Sequence, residues 1–316
     1  MSIISTLTEL FPIRKSGKQK EAFRDWFIAW AREQGYTAQA TTPRGIFHST
    51  NVVVGDPDAA EVIFTAHYDT PAVMPLPNFI TPCNVWVYLL YQLLLVPVLL
   101  LPGAAAGALT LHVIRLVTDN LALAESIAPF VGFIGVYAML GVMMFGPANK
   151  HNVNDNTSGV AAVMELMSRI PEENRAKTAF ILFDNEEKGM MGSSAYASSH
   201  KAVKTKKLLI NMDCVGDGEN ILFFANKKTR ALDVFPRLEE AMQGVTGRHF
   251  VMNKLEKCIY PSDQSQFKYG IAVCACNKMK AIGYYCDKIH TKKDTVCEQA
   301  NLDVLAEGLS SFVGML

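Results

Sequence analysis

From Thr70 to Ile114 this chain carries no Asp, Glu, Lys or Arg, and a second uncharged run covers Ser126 to Asn149. Residues 85–101 (VWVYLLYQLLLVPVLLL) and 126–146 (SIAPFVGFIGVYAMLGVMMFG) each approach the roughly 20 apolar residues that span a bilayer. Trp86, Tyr88 and Tyr91 stand near one end, where aromatic rings suit a membrane–water interface. Arg115, Asp119 and Glu125 lie between the segments, in a connector too polar for hydrocarbon without partners. The stretch 103–117 reads as a continuation of the first helix or as an interfacial helix. A hydrophobic hairpin folded as a lid on a soluble domain is the alternative.

The apolar excess is local. Half the residues are hydrophobic and 19% are charged, against about 25% charged in typical soluble domains, and mean hydropathy is +0.15. Outside residues 70–149 the chain reads as an ordinary soluble domain. Thirty basic and thirty acidic residues cancel, and no strongly basic segment of the kind nucleic acid requires is present. The seven cysteines (83, 214, 258, 274, 276, 286 and 297) include no CxxC pair. They read as buried, reduced thiols, which favours a reducing compartment. The N-terminus lacks the charged and apolar regions of a signal peptide.

Helical spacing of Phe23, Trp26, Phe27 and Trp30 predicts a helix over 18–34, with Gly35 at its end. Strand-like runs follow at 51–54 and 61–66. After the apolar region the pattern alternates. A helix is expected over 158–169, a strand over 178–183, a helix over 189–200 and a strand over 207–212. A helix over 229–243, a strand over 270–276 and a helix over 299–314 complete the series. The lysines at 202–207 read as a solvated lead-in to the LLINM strand. Strands alternating with helices predict an α/β domain with a mostly parallel central sheet flanked by helices. It is discontinuous, 1–83 and 147–316, with residues 84–146 as an inserted two-helix transmembrane hairpin.

Five metal-ligand residues fall along this domain, each in its own short motif. His67 lies in TAHYDT (65–70) and Asp155 in NDNTSG (154–159). Glu187, with Glu186 beside it, lies in FDNEEKGMMGS (183–193), Asp213 in INMDCVGDG (210–218) and His290 in KIHTKKDT (288–295). His67, the Glu186–Glu187 pair and Asp213 each follow an apolar strand, and sites in open α/β sheets form beyond the carboxyl ends of strands. Imidazoles and carboxylates in this mixture suit a two-zinc hydrolytic site, with one further carboxylate to move the proton. Each motif alone is weak; the set is specific. If His67 and Asp155 meet in one site, the chain must return to the side it left, so the hairpin crosses an even number of times.

In this order the motifs resemble those of the zinc exopeptidases of metallopeptidase family 28, over roughly residues 15–70 and 150–316. The resemblance implies two zinc ions per chain, His67, Asp155 and Asp213 holding one and Asp155, Glu187 and His290 the other, so that Asp155 bridges. Glu186 is implied as the general base and Asp69 as the partner of the far nitrogen of His67. Asp294 is implied to support the loop carrying His290, and a cis peptide is expected at Asp155–Asn156. SDQSQF (262–267) resembles the family's Ser-Asp-His segment with Gln264 in place of the His. Tyr260 is the candidate for stabilising the oxyanion. His151 could compete as a ligand but is read as a loop residue, since the pattern already fills both metals.

The resulting expectation is a membrane-anchored aminopeptidase whose catalytic domain faces the cytoplasm. A carboxypeptidase or N-acyl amino acid amidase on the same site is the alternative. A glutaminyl cyclase is disfavoured by the complete two-metal ligand set, and an inactive adaptor by the presence of Glu186 and all five ligands. The hairpin leaves shortly after His67 and returns shortly before Asp155, which places the site mouth close to the bilayer. Expected partners are therefore peptides, hydrophobic or membrane-associated, and the lipid bilayer, with paired hairpins allowing a homodimer.

Overall fold

A computed structural model describes residues 2–43, 48–74, 76, 78–252 and 258–316. The chain opens with α1 (Ile3–Leu10) and α2 (Gly17–Glu33), followed by β1 (Ala38–Thr41), β2 (Asn51–Val54) and β3 (Val62–His67). Two long helices, α3 (Val85–Val117) and α4 (Leu121–Phe145), come next, then α5 (Gly159–Arg169) and β4 (Thr178–Phe183). The remainder is α6 (Met191–Ser199), α7 (Lys201–Lys206), β5 (Leu208–Met212), β6 (Asn220–Ala225), α8 (Lys227–Arg230), α9 (Phe235–Gln243), β7 (His249–Val251), β8 (Tyr269–Met279), β9 (Gly283–Tyr285) and α10 (Gln299–Gly314).

The strands form one mixed sheet in the order β1-β2-β4-β3-β5-β8-β6-β7, with β9 added to β8. Its centre, β4-β3-β5-β8, is parallel, and the flanking strands β2 and β6 join it antiparallel. Period-two alternation along β3 sends Val62, Phe64 and Ala66 to one face and Ile63 to the other, as strand geometry requires. The first face packs on Phe23 and Phe27 of α2, Leu166 of α5, Leu238 of α9 and Leu305 of α10. The second packs on Tyr196 of α6 and Val203 of α7. Helices on both faces of a sheet give the three layers expected of such a sequence.

Local chemistry sets several boundaries. Ser16 caps α2 in a reciprocal capping box with Gln19. A proline in the first turn of α9 marks the start of that helix, so the expected helix over 229–243 is divided into α8 and α9. The lysines read as a solvated lead-in form α7 instead, because Val203 is buried on the second core.

The hairpin is a separate object. α3 has 33 residues and α4 has 25, about 50 and 37 Å at 1.5 Å per residue. Residues 103–117 continue the first helix. The two helices approach closely where side chains are missing. A Cβ on Gly103 would stand 2.5 Å from the Gly132 carbonyl oxygen and 2.6 Å from Val136 Cγ2, the small-residue contact that apolar helices use in lipid. Outward-facing Leu93, Leu101 and Phe130 are 66, 64 and 66% exposed. Both helices are long and apolar enough to cross a membrane, and only 6% of each apolar window is buried, so they do not form a lid packed on the domain. The hairpin meets the domain at its base. Lys15 Nζ donates to the Met144 carbonyl at 3.0 Å, Lys188 Nζ lies 5.8 Å from the centre of the Phe145 ring, and the Phe79 and Tyr91 rings are 5.2 Å apart.

The cysteine reading needs one correction. Cys83, at the root of α3, is disulfide-bonded to Cys258, while Cys214, Cys274, Cys276, Cys286 and Cys297 are free. A sequence separation of 175 residues hides such a pair from any spacing rule.

Candidate metal centre

Three parallel strands end at one level. His67 closes β3 opposite Phe183 of β4, and Asp213 follows the last residue of β5. Beyond them the backbone turns sharply. Asn185, before Glu186, has φ 55°; Cys214, after Asp213, has φ 58°; His290 itself has φ 63°. Left-handed conformations are costly for residues other than glycine and concentrate at functional sites. The Asp155–Asn156 peptide is cis, as the resemblance implies.

Asp155 is the centre of the arrangement. Its Oδ1 lies 3.3 Å from His67 Nε2, which is also 3.7 Å from Asp213 Oδ1. Its Oδ2 lies 3.0 Å from His290 Nε2, which is 3.3 Å from Glu187 Oε2. One carboxylate thus offers one oxygen to each of two imidazole–carboxylate groups. Donors about 2.1 Å from a tetrahedral ion are about 3.4 Å from each other, so these separations suit a cation in each group. His67, Asp155 and Asp213 converge as one possible metal group, and Asp155, Glu187 and His290 as another.

Electrostatics ask for the same partner. Asp69, Asp155, Asp213, Asp263 and Asp294 are all buried, with exposures of 0 to 5%, against two imidazoles. Burial pushes the Glu186 carboxyl well above the usual range, and the charges of Glu187, Asp263 and Asp213 add to this against His67. Burial likewise pushes Glu187 up to about 8. Glu187 Oε1 and both oxygens of Asp263 are buried without a hydrogen-bond partner. Unpaired buried carboxylates are expensive, and bound cations offset that cost.

The surrounding contacts fix these side chains. Asp69 accepts from the backbone N–H of Glu186 at 3.0 Å and of Glu187 at 3.3 Å. Its carboxylate is 3.6 Å from His67 Nδ1, whose nearer partner is the Asp69 carbonyl at 3.3 Å. Asp69 therefore orients the Glu pair with its side chain and the His67 ring mainly with its backbone. Burial raises Asp69, but His67 and Lys20 outweigh this and leave it below the ordinary carboxylate value. Asp294 accepts from Asn154 N at 2.7 Å and Asp155 N at 3.0 Å. It holds the loop of the central Asp155 as well as belonging to the loop of His290. His290 Nδ1 faces the Met74 sulfur at 3.3 Å.

Tyr260 is buried beside the centre, but its hydroxyl donates to the Asp213 carbonyl at 3.2 Å, so it supports the Asp213 turn in this state. His151 sits outside both groups, in a loop where its backbone N–H bonds Asn149.

Three further residues were not singled out by sequence reasoning. Lys20 of α2 donates to Asp184 Oδ1 at 2.5 Å and Asn185 Oδ1 at 2.6 Å, clamping the turn before Glu186. Buried Arg14 donates to the Tyr68 carbonyl and to Thr157 Oγ1, tying the His67 and Asp155 loops together. Asp263 stands with its carboxyl pushed by burial up to about 7. The SDQSQF segment was the available signal for Asp263; nothing in the spacing of Lys20 or Arg14 marked them.

A sequence profile described as Peptidase family M28 matches residues 141–313. The chain belongs to that family. No curated protein sequence matches it. Among solved structures it is similar to Porphyromonas gingivalis glutaminyl cyclase, with TM-score 0.59 and 15% identity over 99% of this chain and 96% of that one. It is also similar to the Legionella pneumophila LapA aminopeptidase, with TM-score 0.56 and 14% identity over 98% and 68%. A leucine aminopeptidase precursor from Bacteroides thetaiotaomicron gives TM-score 0.56 and 14% identity over 98% and 94%. At such identities the likeness shows the fold.

Proposed function

We propose that this chain is a membrane-anchored dinuclear-zinc aminopeptidase. The observation that carries the reading is the split of Asp155, one oxygen toward His67 and Asp213 and the other toward His290 and Glu187. His67, Asp155 and Asp213 would hold one ion, and Asp155, Glu187 and His290 the other. Bound zinc would supply Lewis acidity toward the scissile carbonyl and acidify water near neutral pH.

The chain's own residues supply the rest. Glu186, held on its turn by Asp69 and raised by burial, takes a proton from the attacking water and returns it to the leaving amine. A carboxyl that holds its proton more tightly than usual is better able to carry it from the water to the amine. Asp69 and Lys20 hold the Glu186 turn, and Asp294 and Arg14 hold the Asp155 loop.

The hairpin root supports a reading of the substrate class. Met144 and Phe145 end α4 beside Lys15 and Lys188, and Lys15, Met144, Lys188 and Glu187 line one small cavity. The mouth therefore lies at the domain–bilayer junction, which favours hydrophobic or membrane-associated peptides. The side of the bilayer is read from the Cys83–Cys258 bond. A disulfide that persists in the cell places the domain in an oxidising compartment, whereas a free pair restores the cytoplasmic orientation.

Glutaminyl cyclase is the second reading, favoured by the similar solved cyclase, and the test separates the two. Detergent-purified wild type and Glu186→Gln are assayed on peptides with free, blocked and N-terminal glutamine ends, with zinc measured on the same samples. The aminopeptidase reading expects two zinc ions, cleavage of free N-termini only, and a loss of about 10²- to 10⁴-fold in the variant with zinc retained. Cyclisation of glutamine without hydrolysis would overturn it in favour of the cyclase.

A further inference from the structure

Away from the Asp155 centre, five of the seven cysteines gather around one face of β8. Cys83 and Cys258 are bonded to each other. The other three are free thiols. Cys274 and Cys276 are two residues apart on β8 and so point to the same face. Cys286 follows β9, whose register with β8 pairs Asn277 with Tyr285 and Lys278 with Tyr284. Continued by one rung, that register sets Cys286 opposite Cys276.

The sulfurs meet. Cys274 Sγ is 3.3 Å from Cys276 Sγ, which is 3.6 Å from Cys286 Sγ, and all three lie within 4.8 Å of one another. All three residues are buried, at 0, 0 and 5% exposure, among Leu222, Phe224 and Ala272. The Ala275 carbonyl lies 3.3 Å from Cys286 Sγ and 3.9 Å from Cys274 Sγ. Thiols are weak hydrogen-bond donors and acceptors, so such contacts contribute little by themselves.

Three sulfurs bound about 2.3 Å from one ion in a plane stand about 4.0 Å apart, a small expansion of the spacing seen here. Among the described residues no imidazole or carboxylate joins this group. Three soft donors without a harder fourth select against tetrahedral zinc and toward a soft ion that accepts three ligands. We propose that Cys274, Cys276 and Cys286 form a thiolate site for monovalent copper, separate from the Asp155 centre. The ion takes the place of thiol protons, which pass to solvent; copper stays monovalent and no sulfur is oxidised. Backbone hydrogen bonds in both directions join Cys286 to Ile80, three residues before Cys83. A loaded site thereby ties the hairpin root to β8.

The test uses full-length protein in detergent, reduced and kept anaerobic, with Cu(I) delivered from a chromophoric chelator. One equivalent of copper should be retained with an ultraviolet thiolate-to-copper charge-transfer band. Alkylation of the native protein followed by peptide mapping should show Cys274, Cys276 and Cys286 protected by at least about tenfold in rate. Cys276→Ser should lose the band and bind at least about 100-fold more weakly, while His67→Ala keeps both. Equal alkylation with and without copper in the wild type overturns the proposal, and that measurement needs no variant to fold. Loss of the band in His67→Ala overturns it too, by assigning the copper to the Asp155 centre. So does a Cys276–Cys286 disulfide in protein isolated without reductant, which makes the pair a redox couple instead.

Discussion

The sheet edge and the apolar hairpin break opposite rules. At the edge the fold buries charge: His67, Asp69, Asp155, Asp263 and Asp294 are 1, 2, 4, 0 and 1% exposed. In the hairpin it exposes hydrocarbon: Leu101 and Phe130 are 64 and 66% exposed. Either arrangement is unfavourable for a protein surrounded only by water. Each becomes favourable with a partner of matching character, cations for the carboxylates and lipid for the leucines. Both departures suit the zinc ions and the bilayer proposed above, and the two regions meet at Met144 and Phe145, where the hairpin returns beside Lys15 and Lys188.

The largest expected effect tests whether the edge can keep its charges. Lys20 and Asp184 form a buried ion pair, with side chains 6 and 5% exposed. Lys20→Met leaves Asp184 without its cation, which costs about 3–5 kcal/mol when one partner of a buried pair is removed. Denaturant unfolding of the domain reads this loss, and peptidase activity should fall with it because the Glu186 turn loosens. The double variant Lys20→Met/Asp184→Asn should recover most of the stability. An unchanged midpoint in the single variant would remove Lys20 from the account of the site.

Metal uptake comes next and gives the comparison a pH signature. Metal ligands must shed their protons to bind. In the metal-free chain burial pushes Glu187 up to about 8. Burial opposes protonation of His290, but Glu187 and Asp155 prevail and set it at about 9. The pair therefore retains protons at pH 7, and zinc must displace them. Apparent zinc affinity should rise from pH 7 toward 9, by up to about tenfold per pH unit for each proton displaced, then level off. The metal-free protein should behave oppositely. Both groups bind protons more tightly folded than unfolded, so their contribution to stability is fully present at acidic pH. It falls as pH rises through about 8 and about 9. Calorimetry in buffers of different ionisation enthalpy counts the protons. Uptake with none released would break the pairing of buried charge with metal.

A smaller effect is expected in the hairpin. Gly103→Leu places a side chain where a Cβ alone would meet the Gly132 carbonyl oxygen at 2.5 Å. Overpacking of this kind costs about 1–3 kcal/mol. It should appear as earlier unfolding or protease cleavage of the hairpin in detergent, with zinc content and the rate on a short soluble peptide unchanged. If zinc were lost as well, the two regions would be coupled and the comparison would no longer hold.

How far each region could be read from sequence follows from how local its signal is. The hairpin was legible because lack of charge over a long run is local, and α3 begins at the expected Val85. Strand β4 and helix α10 match the expected 178–183 and 299–314 because apolar runs and helical spacing are local too. The motifs that converge at the sheet edge were legible because each lies at a strand end or turn. The NILFFA strand, β6, is an apolar run as well, but no site motif follows it to mark its place in the sheet. Lys20, Arg14 and the Cys83–Cys258 bond were not readable in this way. Their partners lie far along the chain, 164 residues on for Lys20 and Asp184, and only the folded sheet brings them together.

Tyr260 carries the smallest and most discriminating prediction. Sequence resemblance suggests an oxyanion donor, whereas the folded chain directs its hydroxyl to the Asp213 carbonyl at 3.2 Å and stacks its ring on Phe224 with centroids 5.3 Å apart. Tyr260→Phe keeps the stacking and removes one hydrogen bond, a net cost of about 0.5–1.5 kcal/mol. If the hydroxyl serves only the Asp213 turn, kcat should fall less than about tenfold, with a matching small drop in unfolding midpoint. An oxyanion donor loses about 10²- to 10³-fold in kcat, with the midpoint hardly moved. We expect the first result. The second would mean that the hydroxyl leaves Asp213 when substrate binds, so that the geometry of the edge changes during turnover.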